Sequence, residues 1–367
     1  MLYKLLSRMQ RGQFESFVVS LSDRGEMAER FAALNVPVHS IDMKAGRPTP
    51  AAVWRLIHCV RQIGPDLIQG WMYHGNLAAQ LASAFAPVRV PVLWNVRGSH
   101  YTLKGEKPAT AATIWLNAKL SGLPTKIINN SAVSALGHEQ NLRYRADKRV
   151  IIPNGFDTSL FVPSAEARSS VRAELGIAED ALLIALFARF HPIKDHASFL
   201  QAASLLLKEH PNVHFVLAGK GIDSSNDSLR DLVSRSGIST QFHMLGERSD
   251  MPRLSAAMDI VSLTSRSEGF PNVIGEAMSC GVPCVVTDAG DSSWIVGSTG
   301  RIVPPGNVSA LVGMWQEMVE MGEENRQNLG RLARQRVVEN FSLDGIARQY
   351  EALYEQVFLS TGRRGTD

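Results

Sequence analysis

Cysteine is scarce in this chain: Cys59, Cys280 and Cys284 are its only three in 367 residues. An odd count argues against a disulfide framework, and no pair has the C-x2-C spacing of a metal site. Cys280 and Cys284 straddle the expected end of a helix and the start of a strand, which makes them small core residues. Long apolar runs are missing as well. No stretch reaches 18 apolar residues, so no transmembrane helix is expected, and no signal peptide opens the chain. A cytoplasmic location is the expectation. Short internal repeats and low-complexity segments are absent, apart from a polar tail, TGRRGTD (361–367), expected to fray. No zinc-finger, RNA-recognition or basic-helix pattern occurs, so nucleic acid ranks last among partners.

Charge is present but unevenly placed. Residues 1–150 hold 19 Lys and Arg against 9 Asp and Glu, a balance of +10, while the remainder carries −7 of the net +3. A basic half joined to an acidic half suggests an anionic partner for the basic one: a membrane surface or a phosphorylated acceptor. The inner face of the cell membrane is therefore a candidate docking surface.

Short apolar runs alternate with amphipathic stretches almost throughout. FESFVVSLS (14–22), VPVHSID (36–42), DLIQGW (66–71), PVLWNV (91–96), KIINNS (126–131) and VIIPN (150–154) read as strands. GEMAERFAALN, the 48–63 stretch, NLAAQLASAFA and the 110–122 stretch read as the helices between them. A second series holds ALLIALFAR (181–189), VHFVLAG (213–219), FHMLG (242–246), DIVSLTS (259–265), PCVVT (283–287) and GRIVP (300–304). Strands and helices alternating at these lengths mean a parallel sheet with helices on both faces, formed twice over. The fold class is α/β with two Rossmann-like domains. A turn-rich cluster at Asn154, Gly155 and Asp157, closed by Pro163, marks the boundary. The expected domains are 1–157 and 158–340, followed by a helix over 341–358 with Ser342 as its N-cap.

The most informative run is SRSEGFPNVIGEAMSCGVPCVVTDAGD, where Glu268 and Glu276 stand eight positions apart. Glu268 falls on the loop at the carboxyl end of a strand. Glu276 falls one and a half turns into the next helix, which has Pro271 at its expected first position and stops at Gly281. In open α/β sheets the carboxyl edge is where ligands bind, and the backbone amides from Gly269 through Phe270, Pro271 (which has none) and Asn272 to Val273 face an anion there. Carboxylates flanking an anion seat suit a nucleotide diphosphate sugar.

The run resembles the E-x7-E signature of the group-1 (family 4) retaining glycosyltransferases, which have the GT-B fold of two Rossmann-like domains about an interdomain cleft. The resemblance implies that Glu268 contacts hydroxyls of the donor sugar and Glu276 holds the ribose. A second match follows the strand ALLIALFAR: Arg189 and Lys194 keep the spacing of the family's G-R-x-x-x-x-K-G, whose Arg and Lys clamp the donor pyrophosphate. Ala188 replaces the usual Gly, and Asp195 stands where Gly usually follows the Lys and fits as a helix N-cap. Gly219-Lys220-Gly221 is similar to the family's Gly-x-Gly turn near the nucleotide, which places Gly219 and Gly221 at the donor. It is no dinucleotide fingerprint, because no third Gly follows at the required offset. The segments Leu245-Gly246-Glu247 and Met251-Pro252 resemble the family's stretch beside the base.

The first half, the acceptor side in this family, offers three candidates. His74 lies in QGWMYHGN after a strand, Arg97 in WNVRGSH stands where many relatives have a cleft His, and Asn130 resembles the family's N-S motif. Arg97 cannot serve as a base at neutral pH, so its part would be electrostatic. The terminal helix is expected to cross back to the first domain. One departure is large: the chain opens with the helical MLYKLLSRM where the family has a strand and a Gly-rich loop, so roughly 15–25 preceding residues are expected in a complete form.

The resemblance implies transfer of a sugar from a nucleotide donor to a glycan or lipid-phosphate-linked acceptor, with retention, in bacterial surface polysaccharide synthesis. No Asp-x-Asp suits a diphosphate-bound metal, so neither a metal nor another cofactor is expected, and the cations would take that role. A sugar-nucleotide epimerase or hydrolase, or an inactive nucleotide-sugar-binding protein on the same fold, stays open as an alternative. A dehydrogenase ranks below these.

Overall fold

The computed structural model describes residues 1–44, 49–98, 103, 106–237 and 239–360; the tail expected to fray lies outside the described residues. The chain forms two compact units, one of Met1–Gly155 with the segment from Leu343 onward, the other Phe156–Ser342.

The first unit runs α1 (Leu2–Leu6), β1 (Val18–Ser20), α2 (Ala28–Ala32), β2 (Val38–Ser40), α3 (Pro50–Ile63), β3 (Ile68–Trp71), α4 (Met72–Ala84), β4 (Val92–Val96), α5 (Pro108–Leu120), β5 (Lys126–Asn129), α6 (Ala132–Leu142) and β6 (Arg149–Ile151). The second runs α7 (Ala165–Leu175), β7 (Leu182–Phe187), α8 (His196–Leu206), β8 (Val213–Ala218), α9 (Asp227–Ser236), β9 (Phe242–Met244), α10 (Met251–Ala257), β10 (Ile260–Leu263), α11 (Asn272–Ser279), β11 (Cys284–Thr287), α12 (Ser292–Val296), β12 (Arg301–Val303), α13 (Val308–Glu320) and α14 (Gly322–Phe341). The last helix, α15 (Leu343–Ser360), belongs to the first unit.

All strand pairings are parallel. In the second unit the order is β12-β11-β10-β7-β8-β9. Its central strand β7, LLIALF, is buried at every position. Leu183, Ala185 and Phe187 face one core with Val261, Ile274 and Phe341, while Leu182, Ile184 and Leu186 face another with Phe199, Phe215 and Trp315. A strand covered on both faces needs a continuous apolar run, which is how this one reads. Each large side chain buried this way contributes roughly 1.5–3 kcal/mol.

The first unit departs from the single sheet expected. β3-β4-β5-β6 form one sheet and β1-β2 a separate pair. β1 and β3 share both flanking cores, Val18 with Leu67 and Trp71 on one side and Val19 with Ile68 on the other, yet no ladder joins them. The described residues supply no strand that would link the two.

Several boundaries differ from the sequence reading, three of them informatively. α4 starts at Met72, directly after β3, rather than at Asn76. Gly70 permits this: a Cβ there would lie 2.5 Å from Asn76 Cα, so the helix folds back tightly on the strand. Asn76 Oδ1 then accepts the Asn95 amide at 3.1 Å. Pro271 is extended (φ −73°, ψ 106°) and caps α11, so it is not the first helical residue. Near the C-terminus, α14 runs through Phe341 and stops at Ser342 (ψ 142°), and α15 starts at Leu343, so the expected 341–358 helix begins two residues late. Ser342 is held extended by a parallel bridge to Phe156, which a helical residue could not make.

On the neighbouring strands β8 and β9, His214 Nδ1 lies 3.1 Å from His243 Nε2. Burial holds both pKa values down, and the His214 charge adds to the effect on His243, which falls to about 4. The fold therefore keeps His243 neutral, while the unfolded chain binds a proton near the ordinary value of about 6.5. Stability is full above that ordinary value and falls as pH drops toward about 4. His243→Gln is expected to show a smaller drop in Tm between pH 7 and pH 5 than the wild type, as scanning calorimetry measures; equal drops would remove His243 as the cause.

Candidate functional site

The apolar sequence of β10 ends in the polar run Thr264-Ser265-Arg266-Ser267-Glu268, at the sheet's carboxyl edge. Thr264 Oγ1 donates to the Lys194 carbonyl at 2.8 Å, and the Arg266 amide donates to the Ile193 carbonyl at 2.8 Å. Thr287 at the end of β11 donates from Oγ1 to the Ser265 carbonyl at 2.7 Å. These bonds stitch the loop after β10 to the loops after β7 and β11. Backbone groups that a strand would have paired are thus satisfied by the neighbouring loops.

Stitching brings Lys194 to Glu268. Its Nζ donates to Glu268 Oε1, and Ser265 Oγ donates to the same oxygen at 2.6 Å. Both side chains are largely enclosed, 21% and 12% exposed, so the ion pair is poorly screened. Asp195, buried and left-handed at φ 51°, accepts from the Ser198 amide and caps α8. Its Oδ2 also accepts from Arg266 Nε at 2.9 Å. The sequence reading of Asp195 as a cap holds. Arg189, just past β7, is exposed and makes no side-chain hydrogen bond or ion pair among the described residues. Lys194 and Glu268 are thus brought into direct contact, and Arg189, at the same sheet edge, makes no bond to that pair among the described residues.

The glycines fix how closely these loops pass. Gly219 has φ 148°, and a Cβ there would lie 2.3 Å from the Ala188 carbonyl oxygen, so the β8 loop rests on the peptide ahead of Arg189. Gly221, at φ 76°, follows beneath Phe190. Beyond the loop, Gly269 leads to Phe270, buried and stacked on Phe156 with centroids 6.0 Å apart. Pro271 caps α11, whose first turn carries exposed Asn272 and half-buried Val273; Glu276, half-buried, follows on the same helix.

Sequence reasoning missed Ser265, Thr264 and Arg266, whose only signal is their place after a buried strand. It also missed Gly290, within DAGD: at φ 60°, a Cβ would lie 2.5 Å from the carbonyl oxygens of both Glu268 and Gly269. A glycine in a polar run after a strand was the available hint. Cys280 is no nucleophile here, since burial pushes its thiol up to about 12.

In the first unit, Arg97 and Asn130 meet at one acceptor. Arg97 Nη2 donates to Asn154 Oδ1, and Asn130 Nδ2 reaches the same oxygen at 3.3 Å. Arg97 Nη1 donates to Tyr350 OH at 3.2 Å and Asn95 Oδ1 at 3.4 Å, and the guanidinium lies over the Trp71 ring at 5.2 Å. Burial pulls its pKa down, opposed by the Tyr350 hydroxyl. His74 is elsewhere, exposed on α4, with Nε2 3.4 Å from Thr113 Oγ1.

Residues 181–320 match the family described as glycosyl transferases group 1, and residues 1–160 match glycosyltransferase family 4. The N-acetyl-alpha-D-glucosaminyl L-malate synthase of Bacillus anthracis is 25% identical over 284 residues, 77% of this chain and 72% of that protein. The UDP-Gal:alpha-D-GlcNAc-diphosphoundecaprenol alpha-1,3-galactosyltransferase of Escherichia coli is 27% identical over 228 residues, 60% of this chain but only 56% of that protein. Anabaena HepE in complex with UDP and glucose superposes with a TM-score of 0.81 at 23% identity, covering 97% of this chain and 95% of that one. Likeness at that identity establishes the fold.

Gly290→Ala is expected to cost about 1–3 kcal/mol in urea unfolding, from overpacking against two carbonyls and a left-handed backbone. Gly306→Ala shares the positive φ, but its nearest neighbour is 4.0 Å away, so it should cost less. Equal losses would trace the effect to φ alone.

Proposed function

The chain belongs to the group 1, family 4 glycosyltransferases and has their GT-B fold; from this we propose that it transfers a sugar from a nucleotide diphosphate sugar to a glycan or lipid-phosphate-linked acceptor, with retention at the anomeric carbon and without a metal. The observation that carries the reading is the convergence at one sheet edge of Arg189, unpaired among the described residues, the Lys194–Glu268 contact and the first turn of α11. HepE was solved with UDP, which supports a nucleotide donor. The names of the two bacterial relatives contain L-malate and a diphospho-lipid, which supports an acidic acceptor or product.

Arg189, Lys194 and the amides of α11 neutralise the diphosphate as it leaves, the part a bound cation would otherwise play. Lys194 has three N–H donors, so it can hold a phosphate oxygen while keeping Glu268 oriented. Glu268 fixes the sugar hydroxyls, and Glu276 on the next turns holds the ribose. In the transfer step the bond from the anomeric carbon to the diphosphate oxygen breaks, and the acceptor oxygen bonds to that carbon on the same face. The acceptor's proton passes to the departing phosphate. This needs no covalent intermediate on the protein.

Glu276→Ala should weaken nucleotide binding, whereas Glu268→Ala should mainly lower turnover, by ~10²-fold. Arg189→Ala and Lys194→Ala should cost several-fold to ~10³-fold in turnover. Activity should survive EDTA, and NMR of the product should show the donor's anomeric configuration. Calorimetric titration with UDP and coupled nucleotide release measure these effects. Equal, small changes from both glutamate variants, an inverted product or complete loss on chelation each overturn the corresponding part; nucleotide release unaffected by any acceptor points to a hydrolase.

We also propose an anionic membrane surface as a partner of the first unit. α5 and α6 pack together yet leave Trp115, Leu116, Val133 and Leu136 exposed, as is Leu123 just after α5, with Lys119 Nζ 5.8 Å over the Trp115 ring. Exposed apolar side chains with a lysine at Trp115, in a half with a +10 balance, suit an interface rich in acidic lipid. No described helix is long and apolar enough to cross a membrane. The full chain should sediment with phosphatidylglycerol vesicles and not with phosphatidylcholine ones, and Trp115→Ser should weaken that binding. Equal binding of both vesicle types would refute the proposal.

A further inference from the structure

Four strand ends meet around one guanidinium in the first unit. Trp71 closes β3, Arg97 follows β4, Asn130 follows β5 and Asn154 lies beyond β6. The groups that touch Arg97 are all neutral: the Trp71 ring, the amide oxygens of Asn95 and Asn154, and the Tyr350 hydroxyl. No carboxylate among the described residues lies within ion-pair distance of it. Nε and one Nη2 hydrogen have no acceptor among the described residues.

A half-buried cation held only by neutral dipoles carries a desolvation cost that no charge offsets. If bracing α15 to the sheet were the whole purpose, a neutral amide could bond Tyr350 and Asn154 without that cost. What a guanidinium adds is a fixed charge and a planar fork that fits a carboxylate or phosphate with two bonds. The ring of Trp71 and the amides of Asn95 and Asn154 hold the fork still, so little side-chain entropy remains to be lost on binding.

We propose that Arg97 seats an anionic group, a phosphate or carboxylate, on the acceptor, so that the acceptor is an acid and not a neutral glycan. This rests on the glycosyltransferase reading and deepens it. Asn130, already turned toward Asn154, is placed to donate beside Arg97 once an anion competes for Asn154.

The test uses the full chain saturated with UDP, which occupies the donor phosphate seat, and titrates glycerol 1-phosphate against glycerol by calorimetry. Wild type should bind the phosphate ester and not glycerol. Arg97→Gln should lose ~10-fold or more of that affinity, Arg97→Lys less, and both should bind UDP as wild type does. Tyr350→Phe removes a brace bond and keeps the charge, so it should retain phosphate binding. Competition with phosphatidate vesicles assigns the source: displacement means a lipid headgroup, and no displacement means a soluble phosphate ester, both consistent with the seat. The proposal is overturned if Arg97→Gln binds glycerol 1-phosphate as wild type does, if wild type binds none, or if Tyr350→Phe loses as much as Arg97→Gln. Failure of wild type to bind UDP would instead sink the donor reading.

Discussion

Parallel pairing is the constraint from which the rest follows. Every ladder in both units runs one way, so within a sheet all strands end at the same edge. Crossover helices must then cover both faces, as they do for the sheet around β7, and polar chemistry is excluded from the faces. The edge is the only place left for it. Arg189, Gly219, Thr264 and Gly290 lie just past the ends of β7, β8, β10 and β11, and nothing in their own chemistry put them together. The topology did.

Once loops gather at an edge, their spacing depends on how closely backbones can approach. The Gly219 contact with Ala188 and the Gly290 contact with Glu268 and Gly269 both leave no room for a Cβ. Side-chain hydroxyls of Thr264, Ser265 and Thr287 then tie one loop's carbonyls and carboxylate to the next. The Lys194–Glu268 contact is the outcome of this stitching, and it also steadies the loops, since each charge satisfies the other. Removing either partner alone leaves an enclosed charge, which is costlier than removing both.

Much of this was legible in the sequence because β7, β8, β10 and β11 are apolar runs with polar ends, and period and punctuation mark such segments well. Glu268, Glu276, Arg189 and Lys194 could be placed at strand ends and helix starts from the strands around them. What was not legible is pairwise. Nothing in the order of residues says that Ser265 bonds Glu268, or that Asn154 is shared by Arg97 and Asn130, because such bonds join loops brought close only by the sheet. Boundaries failed where tertiary contact overrode local preference. Gly70 let α4 begin at Met72, and α14 ran on to take Phe341, leaving Ser342 extended just ahead of the last helix, as an N-cap is.

The arginines differ in the partners they keep. Arg172, fully buried, meets Asp259 at 2.7 Å and donates to the Ala257 and Ala181 carbonyls, while Arg168 joins the same carboxylate at 2.6 Å. That network has its counter-ion built in and serves the fold. Arg248 and Arg253 share Glu174 and Asp250 in the same manner, holding Asp250 far below the usual carboxylate range. Arg189 and Arg97 differ: each stands at a sheet's carboxyl edge with no carboxylate bound to it among the described residues. Arg189 is exposed, so water can solvate it and its lack of a partner costs little. Arg97 lacks that freedom, because Trp71 and three neutral groups enclose it. Arg326, Arg334 and Arg336 are half-buried too and donate to backbone carbonyls. What sets Arg97 apart is its place at a sheet's carboxyl edge, with its fork held by a ring and side-chain groups and with N–H groups left for an acceptor from outside.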